Sequence, residues 1–165
     1  MRKYFFTLLF CLTFLPCTQY ARAADLEAPA SVSPEIFQQI QTLLKRFIDP
    51  EKSPEEYAEF FADDAQYYKL GVVGKAKIAE DVARYSKRWP WRFYQLEKIE
   101  SIALDPNADR VMVEYVIRFE VARPAKTISG KAYYMVRIAD LNAIPKIERI
   151  EEVITRREPI STLED

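Results

Sequence analysis

Apolar residues recur with a helical period in the N-terminal half of the chain and with a period of two in the C-terminal half. Ser33-Pro34 offers a helix N-cap followed by a proline at the first helical position. Behind it, Ile36, Phe37, Ile40, Leu43, Leu44, Phe47 and Ile48 form the stripe of an amphipathic helix, which Asp49-Pro50 stops. Ser53-Pro54-Glu55-Glu56 is a capping box and predicts a short second helix with Tyr57, Phe60 and Phe61 on its buried face. Ala65 to Tyr68 reads as a short strand, followed by a turn around Gly71. Lys75 to Lys87 reads as a third helix that aligns Ile78, Val82 and Tyr85.

After Pro90 the chain is strand-like. Four strands are predicted, over Trp91 to Leu104, Val111 to Val121, Ile128 to Ile138 and Lys146 to Thr155. Asp105-Pro106-Asn107, Arg123-Pro124 and the region of Asn142 supply the turns between them. In the second strand Val111, Val113, Tyr115, Ile117, Phe119 and Val121 share one face, so one side of the sheet is buried. The pattern predicts an α+β domain over residues 33–157, with three N-terminal helices packed on one face of a curved antiparallel sheet.

The ends of the chain read differently. Arg2-Lys3, an apolar run from Tyr4 to Pro16 and the small-x-small tripeptide Ala21-Arg22-Ala23 are the three parts of a secretory signal peptide over residues 1–23. The run is too short for a membrane span of about 20 apolar residues. Lipidation at Cys17 is the alternative, and the preceding Pro16 speaks against it. A flexible leader over 24–32 and a polar tail over 158–165 flank the domain. The expected location is periplasmic or secreted, with no membrane attachment after cleavage.

Cleavage would take 23 of the 165 residues and leave 142, enough for one core. It would remove both cysteines, Cys11 and Cys17, so packing alone must hold the exported domain. Arg2, Lys3 and Arg22 leave with the signal and no acid does, so the net charge falls from −1 to −4 and nucleic acid is an unfavourable partner. With no histidine and no remaining cysteine, catalysis would fall to carboxylates, tyrosines or lysines. The acids lack the spacing of a calcium loop, and neither a metal nor a cofactor is expected.

The step Phe60-Phe61-Ala62-Asp63-Asp64-Ala65, the segment Gly74-Lys75-Ala76-Lys77-Ile78 and the closing Pro145-Lys146-Ile147 together resemble the NTF2-like superfamily, which includes ketosteroid isomerase and the SnoaL-like cyclases. The resemblance spans most of residues 34–157 and implies a cone-shaped α+β barrel with a cavity between sheet and helices. It implies no activity, because this fold serves isomerases, cyclases, dehydratases and binding modules. The isomerase machinery has no match. A gapless reading puts Lys69 where the family's catalytic aspartate stands, and Gln38 to Ile48 offers no tyrosine for the oxyanion.

The segment from Arg84 to Tyr94 concentrates tryptophan, arginine and tyrosine, the residues enriched at binding hot spots. Tyr85, Trp89, Trp91 and Arg92 are therefore binding candidates, with the alternative that the tryptophans plug one end of the fold. Tyr67, Tyr115, Phe119 and Tyr134 fall on faces expected to point inward and complete the set of cavity or rim candidates. Asp63-Asp64 and Glu151-Glu152 are adjacent pairs whose members point apart. One of Glu151 and Glu152 could face the cavity, and alternation alone does not say which. The expected function is a non-enzymatic binding or protein-interaction module, acting as a homodimer on a small apolar molecule or a protein partner. The alternative is a SnoaL-like lyase, isomerase or hydrolase that uses one buried carboxylate with tyrosine donors.

Overall fold

Ser33 opens the first helix, α1 (Pro34–Phe47), by accepting a hydrogen bond from the Ile36 amide through its hydroxyl. The expected stripe buries Ile40, Leu44 and Phe47. The computed structural model describes residues 32–105 and 109–158, so the signal segment, almost all of the leader and the tail beyond Glu158 lie outside the described residues. The capping box forms as read: the Glu56 amide donates to the Ser53 hydroxyl, and the Ser53 amide donates to the Glu56 carboxylate at 2.8 Å. The helix it opens, α2 (Pro54–Ala58), is only five residues long.

Phe61 is the first residue of strand β1 (Phe61–Tyr67), four residues earlier than the sequence pattern suggested. Phe61 and Ala65 face the core with no exposed surface, while Asp63 and Asp64 between them point to solvent. A short 3-10 turn over Tyr68–Leu70, closed by the Tyr67 amide donating to the Gly71 carbonyl, leads to β2 (Val72–Gly74). Gly71 takes φ +80°, a conformation that suits a residue without a Cβ. Helix α3 (Lys75–Arg88) follows, then β3 (Trp91–Asp105), β4 (Arg110–Arg123), β5 (Lys126–Ala139) and β6 (Lys146–Glu158).

Three features of the expected architecture are corrected. Among the described residues six strands form one open sheet in the order β2-β1-β6-β5-β4-β3, which does not close into a cone-shaped barrel. Closure needs the outermost strands to pair, but β2 pairs with β1 over only three residues before its chain turns into α3, and β3 pairs with β4. Nor is the sheet wholly antiparallel, because β1 runs parallel to β6. The helices are not all N-terminal to the sheet: α3 follows its first two strands.

One face of the sheet carries the helices and the core. Val111, Val113, Tyr115, Ile117 and Val121 are buried there as the alternation required, with Phe119 half-buried beside them. Val111, Val113, Tyr115 and Ile117 meet Val136, Ile138, Ile147 and Ile150 of β5 and β6, Ile78 of α3 and the buried stripe of α1. Each such aliphatic side chain contributes about 1.5–3 kcal/mol. No helix among the described residues is long and apolar enough to cross a membrane.

Candidate functional site

Between the helices and the inner face of the sheet lies a pocket of about 1130 Å³. Its aromatic walls, joined through Phe61 of the core behind them, form a continuous run of ring contacts. Phe47 stacks on Tyr57 at 4.8 Å, Tyr57 meets Phe61 at 5.7 Å and Phe61 meets Tyr67 at 5.4 Å. Tyr67 then meets Tyr68 at 4.6 Å, Tyr68 meets Tyr134 at 6.3 Å, and Tyr134 stacks on Tyr115 at 5.5 Å. Offset and edge-on ring pairs of this kind add about 0.5–1.5 kcal/mol each beyond area burial. Tyr68 takes part at a cost: its φ of +46° lies in the left-handed region, a strain of order 1–3 kcal/mol for a bulky residue.

The tyrosine hydroxyls carry the polar chemistry. Burial, first of all, pushes the phenols of Tyr57, Tyr68 and Tyr115 well above their ordinary range. Burial also raises Tyr67, and the neighbouring Asp81 charge adds to it; the Tyr67 hydroxyl donates to Asp81 Oδ2 at 3.4 Å. Tyr134 is raised by burial and then by Glu152, with which it hydrogen-bonds. Tyr94 is raised by burial and then by Tyr85, whose hydroxyl accepts from it at 3.4 Å. All six phenols are therefore neutral donors at physiological pH.

Both adjacent glutamates line the pocket, and the register of β6 sets which of them stands beside Tyr134. The pairing shifts between Tyr133 and Tyr134, so that Ile154 opposes Tyr133 while Glu152 opposes Tyr134. Glu152 thus stands beside Tyr134, whereas Glu151 is ion-paired with Arg149, its i−2 neighbour on the same strand. Asp63 and Asp64 stay outside the pocket, and Asp63 pairs with Lys75 at 3.3 Å. Lys69 is exposed in the 3-10 turn at the pocket edge. Among the described residues no cluster of histidine, cysteine, aspartate and glutamate side chains could hold a metal ion.

Of the candidates read from the sequence, Tyr67, Tyr85, Trp89, Arg92, Tyr115, Phe119 and Tyr134 all line the pocket. Trp91 does not. It is the first residue of β3 and half exposed together with Phe93, while the alternate residues Arg92 and Tyr94 point to the pocket. Trp89 precedes the strand and is 6% exposed. Arg92 is a brace: Nη2 donates to the Pro50 carbonyl at 2.8 Å and Nη1 to the Trp89 carbonyl at 3.1 Å, tying the α1–α2 loop to the start of β3.

Sequence reasoning missed Asp81 and Tyr68. Asp81 was within reach, since it stands three residues after the buried Ile78 and four before Tyr85 on one helical stripe. Tyr68 was not, because its position depends on a left-handed turn that no glycine announces at that residue.

No family model matches the chain, and no curated protein matches it. Solved structures do resemble it. Aln2 from a Streptomyces species superposes with a TM-score of 0.64 at 10% identity, over 73% of this chain and 91% of that one. An NTF2-like protein with a cystatin-like fold from Novosphingobium aromaticivorans gives 0.57 at 15% identity, over 72% and 80%. A type 2 hexachlorocyclohexane dehydrochlorinase (LinA) gives 0.59 at 13% identity, over 78% and 89%. At these identities the likeness shows the fold alone, an NTF2-like α+β arrangement.

Proposed function

We propose that this protein binds a small, largely apolar molecule carrying hydrogen-bond acceptors, and that it holds this molecule without transforming it. The observation that carries the reading is the set of neutral tyrosine hydroxyls on a pocket of about 1130 Å³. The volume lies just above the usual range for small-molecule sites, and apolar walls with a few fixed donors are their usual make-up. Among the described residues no acidic side chain is buried; Asp81 is half-buried and Glu152 exposed. That supports holding over proton abstraction, for which a site without histidine needs a desolvated carboxylate.

The sequence pattern over residues 1–23 supports action outside the cytoplasm. Trp91 and Phe93, exposed on the outer face of β3, support a homodimer through that face.

The Tyr67–Asp81 contact favours a second reading, a lyase or isomerase with Asp81 as base and a neighbouring phenol as donor to the developing oxyanion. One variant separates pocket binding from surface adsorption. Val82 is half-buried and lines the pocket, so Val82→Trp fills its volume from α3 with little strain on the core. Phenylnaphthylamine, a neutral aromatic fluorophore, should bind the protein saturably and lose that binding in the variant. Binding that survives Val82→Trp unchanged defeats the proposal. Turnover of a small substrate that Asp81→Asn abolishes replaces it with the second reading.

A further inference from the structure

Charge is not evenly matched within the pocket. Each of its acids has a local partner: Asp49 with Lys52 at 3.5 Å, Asp81 with Tyr67, Glu151 with Arg149, and Glu152 with Tyr134. Of its cations, Lys52 is engaged by Asp49, Arg92 by two backbone carbonyls, and Lys69 is exposed in the 3-10 turn. At one end the balance fails. Trp89 lies at the C-cap of α3 with its indole buried, and two guanidinium groups rest over its ring, Arg88 at 5.8 Å and Arg123 at 5.2 Å. Lys126 lines the same pocket and opposes Arg123 directly across the β4–β5 turn. Among the described residues none of these three cations has a carboxylate within ion-pair distance.

A guanidinium stacked on an aromatic face has its plane held while the N–H donors at its edge stay available, the arrangement that grips a planar or tetrahedral oxyanion by two hydrogen bonds. Three like charges gathered without a counter-charge repel one another, and an anion between them relieves that repulsion. The adjoining pocket is apolar and ring-lined toward Tyr115 and Tyr134.

We propose that the ligand is an amphipathic anion, its carboxylate, sulfonate or phosphate group held by Arg88, Arg123 and Lys126 around Trp89 and its apolar body lying along the tyrosine wall. This rests on the reading of the pocket as a binding site and names the chemical class the site takes. The turn places the two β-strand cations: Ala125 adopts φ +61°, which folds Arg123 and Lys126 back beside each other.

Two probes with one ring skeleton test it: anilinonaphthalene sulfonate, which carries the anion, and phenylnaphthylamine, which lacks it. In fluorescence titrations at low salt the sulfonate should bind about tenfold or more tighter, the difference expected of charge-assisted hydrogen bonds. Arg88→Gln with Arg123→Gln should weaken the sulfonate about tenfold and move the neutral probe by less than about twofold, and added salt should weaken the sulfonate selectively. Both arginines are exposed, so the double variant keeps its core. Equal affinities for the two probes, or a sulfonate affinity indifferent to the double substitution, overturn the anion site and leave the pocket reading standing. Failure of both probes to bind the unmodified protein removes the pocket reading and this one with it.

Discussion

Trp89 and Trp91 stand two residues apart, and the structure gives them opposite energetic roles. Trp89 is 6% exposed and Trp91 is 50% exposed. Emptying a buried tryptophan costs about 3–5 kcal/mol. Trp89→Ala also forfeits two cation–π contacts, with Arg88 and Arg123, worth about 0.5–1 kcal/mol each near a surface. The expected loss is about 4–7 kcal/mol, a large share of the 5–15 kcal/mol by which a domain is usually stable. For Trp91→Ala, half of a side chain of roughly 200 Å² is covered, which at 25 cal/mol per Å² gives about 2.5 kcal/mol. Allowing for burial retained in the unfolded chain, and with no enclosed cavity left behind, about 1–2 kcal/mol remains. Urea denaturation followed by far-UV circular dichroism, which is dominated by the backbone, should give midpoints that differ accordingly at constant slope. Trp89→Phe, which keeps a ring in the site, guards against a variant too unstable to measure and should fall between the two. A loss in Trp91→Ala equal to or larger than that in Trp89→Ala would refute the assignment of Trp89 as the buried plug.

Two further outcomes follow from the site. Arg92→Met should cost about 2–3 kcal/mol, because the Pro50 and Trp89 carbonyls both lose a charged donor, and Arg92→Lys should recover less than half of it, since one ammonium cannot serve both acceptors; a neutral effect on the urea midpoint would contradict the brace. Tyr57, Tyr68 and Tyr115 should resist ionisation while the fold persists. Their folded pKa values are raised above the unfolded value of about 10, so their contribution is complete below that pH and is lost as pH rises toward the folded values. Phenolate absorbance should therefore show these tyrosines ionising together with alkaline unfolding, and ordinary titration of every tyrosine in a still-folded protein would count against it.

The local signals in the sequence were decisive for the elements. A capping hydroxyl, a proline at the first helical position and a heptad-like stripe define α1 within a few neighbouring residues, and the observed helix begins where they place it. The four long strands and the inward set from Val111 to Val121 were equally legible, because a side-chain period of two is written in consecutive residues. The resemblance centred on Phe60 to Ala65 pointed to the right family of folds for the same reason: it is a continuous segment.

What the sequence left open depends on residues far apart in the chain. Whether a sheet closes is a matter of what its edge strands meet, and a three-residue β2 that turns into a helix leaves β3, among the described residues, paired with β4 alone. The parallel pairing of β1 with β6 joins segments about 80 residues apart, beyond any local pattern. A pairing shift of one residue in β6 puts Glu152 rather than Glu151 beside Tyr134. The strand start at Trp91 was legible, but which of the two tryptophans is buried was not. The partners of Arg92 at Pro50 and of Tyr67 at Asp81 are likewise choices of packing. Residue type and spacing determined which side chains were available, and only the register of the sheet and the seating of α3 decided which of them meet.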